Sequence, residues 1–128
     1  MMYEKVVDRI DDAVNLKVLT SFAEVQIEGE PDLIVELIDL YLDDAPRRIA
    51  SLQEAVAKAD EKGFRRAAHT LKGSSANLGA GRLAELCEQI ERAEDDDAVQ
   101  EVRVLLQSME REFEHVRRAF SAERLRRL

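Results

Sequence analysis

One histidine in this chain has neighbours suited to making it a nucleophile. It stands in the stretch His69-Thr70-Leu71-Lys72-Gly73-Ser74-Ser75-Ala76-Asn77-Leu78-Gly79, inside a helical pattern that runs back to about Glu61. At about 100° per residue, Phe64, Ala67, Leu71 and Leu78 gather on one side of that helix. His69 falls on the other, with Arg65, Lys72, Gly73 and Ala76 around it. The imidazole is therefore expected in solvent, beside cations and side chains of almost no bulk. Neutral imidazole is nucleophilic near neutral pH because its ordinary pKa is about 6.5. A phosphoryl group on a ring nitrogen needs a positive neighbour, and Lys72, one turn on, is within reach. Gly73 costs about 1 kcal/mol of helix propensity relative to alanine, so it asks for a reason. Room for a partner's active site to close over the ring is a sufficient one.

Other chemistry-bearing residues read as structural. Ser74 and Ser75 turn toward the packed side, where hydroxyls satisfy backbone carbonyls or allow close packing. His115 lies between the core positions Phe113 and Val116, with no Lys-Gly after it. Cys87 takes an inward position as a small apolar residue. The Gly73–Gly81 spacing puts lysine before the glycine and lacks a strand lead-in, so it is no phosphate-binding loop. The acidic run at 94–97 reads as a turn and helix start, not a metal site. The arginines Arg124, Arg126 and Arg127 suit the C-terminal end of a helix dipole.

The positioning elements follow from composition and periodicity. The chain has 128 residues, 45% hydrophobic and 36% charged, with five Gly, two Pro and no Trp. That favours an all-α single domain with one core. A lone cysteine excludes an internal disulfide and fits a reducing, cytoplasmic location. No apolar run approaches the ~20 residues of a membrane span, and no signal peptide is evident. A net charge of −8 disfavours nucleic acid as a partner.

Tyr3, Val6, Val7, Ile10 and Val14 form a weak leading stripe. Asn15 should cap a helix holding Leu16, Leu19, Phe22 and either Val25 or Ile27, ending at Gly29. Pro31 suits the first position of the next helix. That helix carries Leu33, Ile34, Leu37, Ile38 and Tyr41, then Ile49, Leu52 and Val56. Pro46 interrupts it, yet the apolar phase resumes in register, which predicts a kinked but continuous helix. Asp60 should cap the histidine helix and Gly79 to Gly81 close it. A shorter helix follows, with Leu83, Leu86, Cys87 and Ile90 inward. Asp95-Asp96-Asp97 makes the next turn, Asp97 and Gln100 having capping-box spacing. Val99, Val102, Leu106, Met109, Phe113, Val116 and Phe120 then line the last helix. The prediction is an antiparallel up-down four-helix bundle with a short additional N-terminal helical segment.

The order His, two residues, Lys-Gly, Ser-Ser, then Leu-Gly resembles the histidine phosphotransfer (HPt) family of two-component phosphorelays. Ala67-Ala68, Arg82-Leu83-Ala84 and Leu86-Cys87 extend the likeness. So do Glu30-Pro31-Asp32-Leu33 and Tyr41-Leu42-Asp43-Asp44-Ala45-Pro46 upstream. The whole chain, 1–128, reads as a single HPt-like domain with a core at about 16–120. The resemblance implies phosphorylation of His69 on Nε2, with Lys72 stabilising the phosphoryl group and Gly73 giving clearance. Members of the family often carry a glutamine that hydrogen-bonds the ring. That place falls on Glu91 here, with Gln89 two residues earlier, so both are candidates to orient His69.

The resemblance further implies a carrier without a kinase or phosphatase site of its own. Its partners would be response-regulator receiver domains and, as a further candidate, a hybrid histidine kinase. Arg65 and Ala76 are the nearest docking candidates on the histidine helix. No cofactor or metal is expected on this chain, Mg²⁺ belonging to the receiver, and a free-standing monomer is expected. The alternatives are an unphosphorylated helical adaptor docking a signalling partner, and a structural protein associating through the Val99–Phe120 stripe.

Overall fold

The computed structural model describes residues 13–94 and 97–128, and among them every regular element is helical. The leading stripe at Tyr3, Val6, Val7 and Ile10, and the pair Asp95-Asp96, lie outside the described residues. The elements are α1 (Leu16–Thr20), a 3₁₀ turn (Ser21–Val25), α2 (Leu33–Ala57), α3 (Glu61–Asn77), α4 (Gly81–Arg92) and α5 (Ala98–Arg127). α2 packs against α3 and α5, and α4 packs against the same two. Short links between sequential neighbours make them antiparallel, and the ring closes where α5 returns to α2. No helix among the described residues is long and apolar enough to cross a membrane.

The N-terminal segment departs from its periodicity. Asn15 caps α1 as expected, its Oδ1 accepting from the Lys17 amide at 3.1 Å. The helix then tightens and stops well before Gly29, leaving Val25 64% and Ile27 67% exposed rather than inward. The cause is Gln26: its Oε1 accepts from the Leu33 amide at 2.7 Å and its Nε2 donates to the Pro31 carbonyl at 2.9 Å. One side chain thus ties off the turn that a longer helix would have to occupy. Pro31 consequently lies outside α2 instead of at its first position. Asp32 is the cap, accepting from the Ile34 and Val35 amides at 2.9 and 3.3 Å.

α2 runs through Pro46 without a break for 25 residues, about 37 Å. An interior proline costs about 3 kcal/mol. Ile38, Tyr41, Ile49 and Leu52, buried on both sides of it, each contribute about 1.5–3 kcal/mol through burial. Continuity wins because breaking the helix would take those side chains out of phase.

α3 starts where Asp60 accepts from the Gly63 amide at 3.0 Å. Phe64, Ala67, Leu71 and Leu78 are buried on one side, with Ala68 between them. Gly79 closes it at φ +91°, a conformation other residues resist, and a Cβ there would lie 2.6 Å from the Asn15 carbonyl oxygen. The Asn15 amide donates to the Gly79 carbonyl at 2.8 Å, so this glycine also docks α1 onto the bundle. Gly81, expected to help close α3, instead opens α4. Leu83, Cys87 and Ile90 point inward from α4, and Val102, Met109, Val116 and Phe120 from α5. Asp97 sits at the start of α5 but makes no side-chain cap bond. With φ −96° and ψ 16° its backbone is already near-helical, whereas a capping side chain needs an extended residue behind it.

The arginines at the end of α5 do more than complement a dipole. Arg124 pairs with Asp39 at 2.6 Å and Arg127 with Asp32 at 2.8 Å, pinning the end of α5 to the first half of α2.

Candidate phosphoacceptor site

His69 projects from the middle of α3, opposite its buried stripe, with its side chain 67% exposed. Its ring is not free to spin. Nδ1 lies 2.6 Å from Oε2 of Glu91, which reaches across from the last turn of α4. The other carboxylate oxygen, Oε1, accepts from Lys72 Nζ at 2.6 Å. One carboxylate therefore joins three side chains of two helices. The Lys72 hydrogen bond, foremost, holds the Glu91 carboxyl below its usual range; partial burial opposes this and the His69 contact adds to it. An ionised carboxylate only accepts, so the ring nitrogen facing it must carry the proton. That assigns the neutral ring the Nδ1–H tautomer and leaves the Nε2 lone pair available. Nε2 has no hydrogen-bond partner among the described residues.

The glutamine-to-glutamate departure thus puts an anion where the family often has an amide. Gln89 is exposed and stands about 200° round α4 from Glu91, away from the ring. Lys72 does not stand alone beside the imidazole, because its ammonium is committed to Glu91. Sequence reasoning placed both residues near His69 but not against each other. Opposite charges on sequential helices were the available signal, and pairing them required the register of α4 on α3.

Gly73 is exposed, and a Cβ added there would meet nothing within 4 Å. A methyl group would therefore not crowd the imidazole, so no neighbour among the described residues demands the glycine. Ala76 is exposed a turn further on. Arg65 is more occupied: Nη2 donates to the Ala93 carbonyl at 2.6 Å and to Glu61 at 3.2 Å. It thereby caps the C-terminal end of α4 and fixes α4 against α3.

Ser74 donates to the Leu71 carbonyl at 3.2 Å. Ser75 is buried and shares a 2.7 Å hydrogen bond with the Tyr41 hydroxyl. Cys87, one turn before Glu91, lies in the core; burial foremost, with the Glu91 charge adding, pushes its thiol up to about 12. It is inert at neutral pH. His115 is half-buried, its Nδ1 enclosed without a partner, so it offers no second exposed imidazole. Phe22, Leu37, Leu40, Tyr41 and Leu78 line an open groove of about 510 Å³ between α2 and the end of α3. No cluster of His, Cys, Asp and Glu suited to a metal occurs among the described residues.

Comparison with known proteins agrees with this geometry. Residues 36–119 match the family model described as Hpt domain. The chain is 33% identical over 67 residues to histidine-containing phosphotransfer protein 5 of Arabidopsis thaliana, covering 50% of this chain and 43% of that protein. It spans less than half the length of such curated relatives. The structure is similar to that of histidine-containing phosphotransfer protein B from Pseudomonas aeruginosa PAO1, with TM-score 0.76 and 36% identity over 89% of this chain and 96% of that one. The maize histidine-containing phosphotransfer protein ZmHP2 shares the fold, with TM-score 0.76 at 24% identity, over 95% of this chain and 94% of that one.

Proposed function

This chain belongs to the Hpt domain family, and from that premise we propose that it is a phosphorelay carrier that accepts a phosphoryl group on His69 from one receiver domain and yields it to another. The observation that carries the reading is the state of the ring: two-thirds exposed, tethered at Nδ1, with Nε2 unpartnered among the described residues. The Nε2 lone pair would attack the phosphorus of a receiver's phospho-aspartate. A P–N bond forms as the P–O bond breaks, and the electron pair stays on the aspartate oxygen. In a loose, in-line transfer, most of the rate comes from positioning and charge neutralisation. The chain supplies positioning through Glu91. Lys72, with three N–H donors and one given to Glu91, can turn another toward the phosphoryl oxygens.

The remaining machinery is assigned to the partners. Mg²⁺ and the carboxylate that donates or receives the group would come with the receiver, and a hybrid histidine kinase would charge the first receiver. The open space over Gly73 and the exposed Ala76 leave a path for the receiver's loops. The apolar groove between α2 and the end of α3 would supply contact area for an encounter of modest size. This reading makes the chain a phosphoryl carrier with no kinase or phosphatase activity of its own, acting as a monomer in the cytoplasm.

Incubation with a phosphorylated receiver tests it. Label that is acid-labile and alkali-stable, and absent from His69→Gln, is the expected result. Equal label on His69→Gln would overturn the assignment, and receiver-dependent function surviving in that variant would favour the adaptor reading.

A further inference from the structure

Phosphorylation turns the 2.6 Å contact between His69 Nδ1 and Glu91 Oε2 into something more than an orienting bond. When Nε2 acquires a phosphoryl group, the ring becomes an imidazolium as long as Nδ1 keeps its proton. When the group moves on, an aspartate oxygen forms the new P–O bond, the P–Nε2 bond breaks, and its electron pair returns to Nε2. A ring that has kept its Nδ1 proton then leaves neutral. A ring that has lost it would have to leave as an imidazolate, a far poorer leaving group. Transferability therefore depends on whether that one proton stays in place.

We infer that Glu91 retains the Nδ1 proton on phosphorylated His69, keeping the phosphoryl group transferable, and short-lived, into the mildly alkaline range. The inference rests on the carrier reading above and extends it to the regulation of the same site. The bridging geometry supports it. Lys72 takes Oε1 and the ring takes Oε2, so the carboxylate touches the imidazole directly while the ammonium is hydrogen-bonded to the carboxylate's other oxygen. An anion in direct contact favours the charged form of a ring that keeps its proton, and a neutral amide at the same place supplies no such charge. Lys72 in turn keeps the carboxyl ionised, with the His69 contact contributing in the same direction.

Several other groups on the packed elements are engaged away from the ring. On α3, Arg65 is engaged with Glu61 and the Ala93 carbonyl. On α4, Glu88 pairs with Arg92, and Cys87 is a neutral thiol across this pH range. From α5, Met109 packs on Cys87, and α2 meets α3 through the Tyr41–Ser75 hydrogen bond.

The test uses the full chain and a small donor, phosphoramidate, whose P–N bond is exchanged for the bond to Nε2 with release of ammonia. Phosphorus NMR then follows the phosphohistidine from pH 5 to 10, giving both the ring titration and the hydrolysis rate. Wild type is expected to titrate about one pH unit or more above Glu91→Gln. On the alkaline side it should lose its label roughly tenfold faster, as a one-unit difference in protonation requires. Lys72→Met, which leaves the carboxylate to the ring alone, should titrate no lower than wild type. Superimposed curves for wild type and Glu91→Gln, both labelled at His69, would overturn this inference and leave the carrier reading standing. Label that never reaches His69, or that reaches His69→Gln equally, would overturn both.

Discussion

Tyr41 and Ser75 share a hydrogen bond of 2.7 Å inside the bundle, joining α2 to the histidine helix six residues beyond His69. Both are buried, and the Tyr41 ring packs edge-on against Phe120 of α5 at 5.2 Å between centroids. Three helices thus meet at one hydroxyl pair, about 9 Å along the α3 axis from the imidazole. Burial, foremost, pushes the Tyr41 phenol above its usual range, so it stays neutral throughout the accessible pH range.

Removing either hydroxyl leaves the other buried without a partner. Tyr41→Phe and Ser75→Ala are each expected to cost about 1–2 kcal/mol. The double variant should cost clearly less than the sum, because no orphan remains. Urea denaturation of the four proteins completes the cycle. Strict additivity would mean that the hydroxyls contribute independently and do not clamp α2 to α3.

Gly73 separates stability from transfer. Its Cβ position is open, so Gly73→Ala should stabilise the helix by about 0.5–1 kcal/mol. If the space is kept for a receiver, the same variant transfers more slowly, and Gly73→Gln, which fills more of it, should lose roughly ten- to hundredfold in rate. Thermal melts read the first effect and phosphoryl transfer from a receiver reads the second. A more stable protein with unchanged transfer in both variants would remove the clearance role.

These residues also show how far sequence reasoning reaches. The exposed phase of His69, the buried face of α3 and the Asn15 and Asp60 caps follow from local spacing, because helical period and capping act within a few residues. The Gln26 tie, which displaces Pro31 from α2 and exposes Val25 and Ile27, joins groups up to seven residues apart through side-chain bonds that no periodicity encodes. The Glu91 bridge depends on the rotation of α4 against α3, a tertiary quantity. Counting along the matched segment reaches Glu91, but only packing brings Lys72 to its other oxygen.

Asp32 couples α2 to the end of α5 and does so in a pH-dependent way. Burial alone would raise its carboxyl; the Arg127 hydrogen bond, with the Val35 and Ile34 amides, outweighs it and holds the pKa below the usual carboxylate range. A depressed pKa means the contribution is present above the unfolded value and lost as pH falls through the folded one. Asparagine can still cap the helix but cannot pair with Arg127. Asp32→Asn should therefore be less stable than wild type by about 0.5–1 kcal/mol at pH 7, and the gap should close below about pH 4. Denaturant midpoints at pH 7 and pH 3 check this; a gap that widens on acidification would contradict the assigned sign.

The groove beside α3 makes a prediction about partners. Leu40 stands 68% exposed on its rim, on the α2 face next to the histidine helix. A large apolar side chain left in water contributes little to folding, so Leu40→Glu should change stability by no more than about 0.5 kcal/mol. If a receiver covers the groove when it reaches His69, burying that leucine stabilises the complex by about 1.5 kcal/mol or more. The variant should then bind and exchange phosphoryl groups with receivers about tenfold less well. Chemical labelling of His69 by phosphoramidate should be unaffected, because no docking is involved. Val104→Glu supplies the control: Val104 is 58% exposed on α5, the helix diagonally opposite α3 in the ring, and the same charge there should leave receiver transfer unchanged. Equal losses in both variants would point to net charge rather than contact, and no loss in Leu40→Glu would place the docking surface elsewhere around His69.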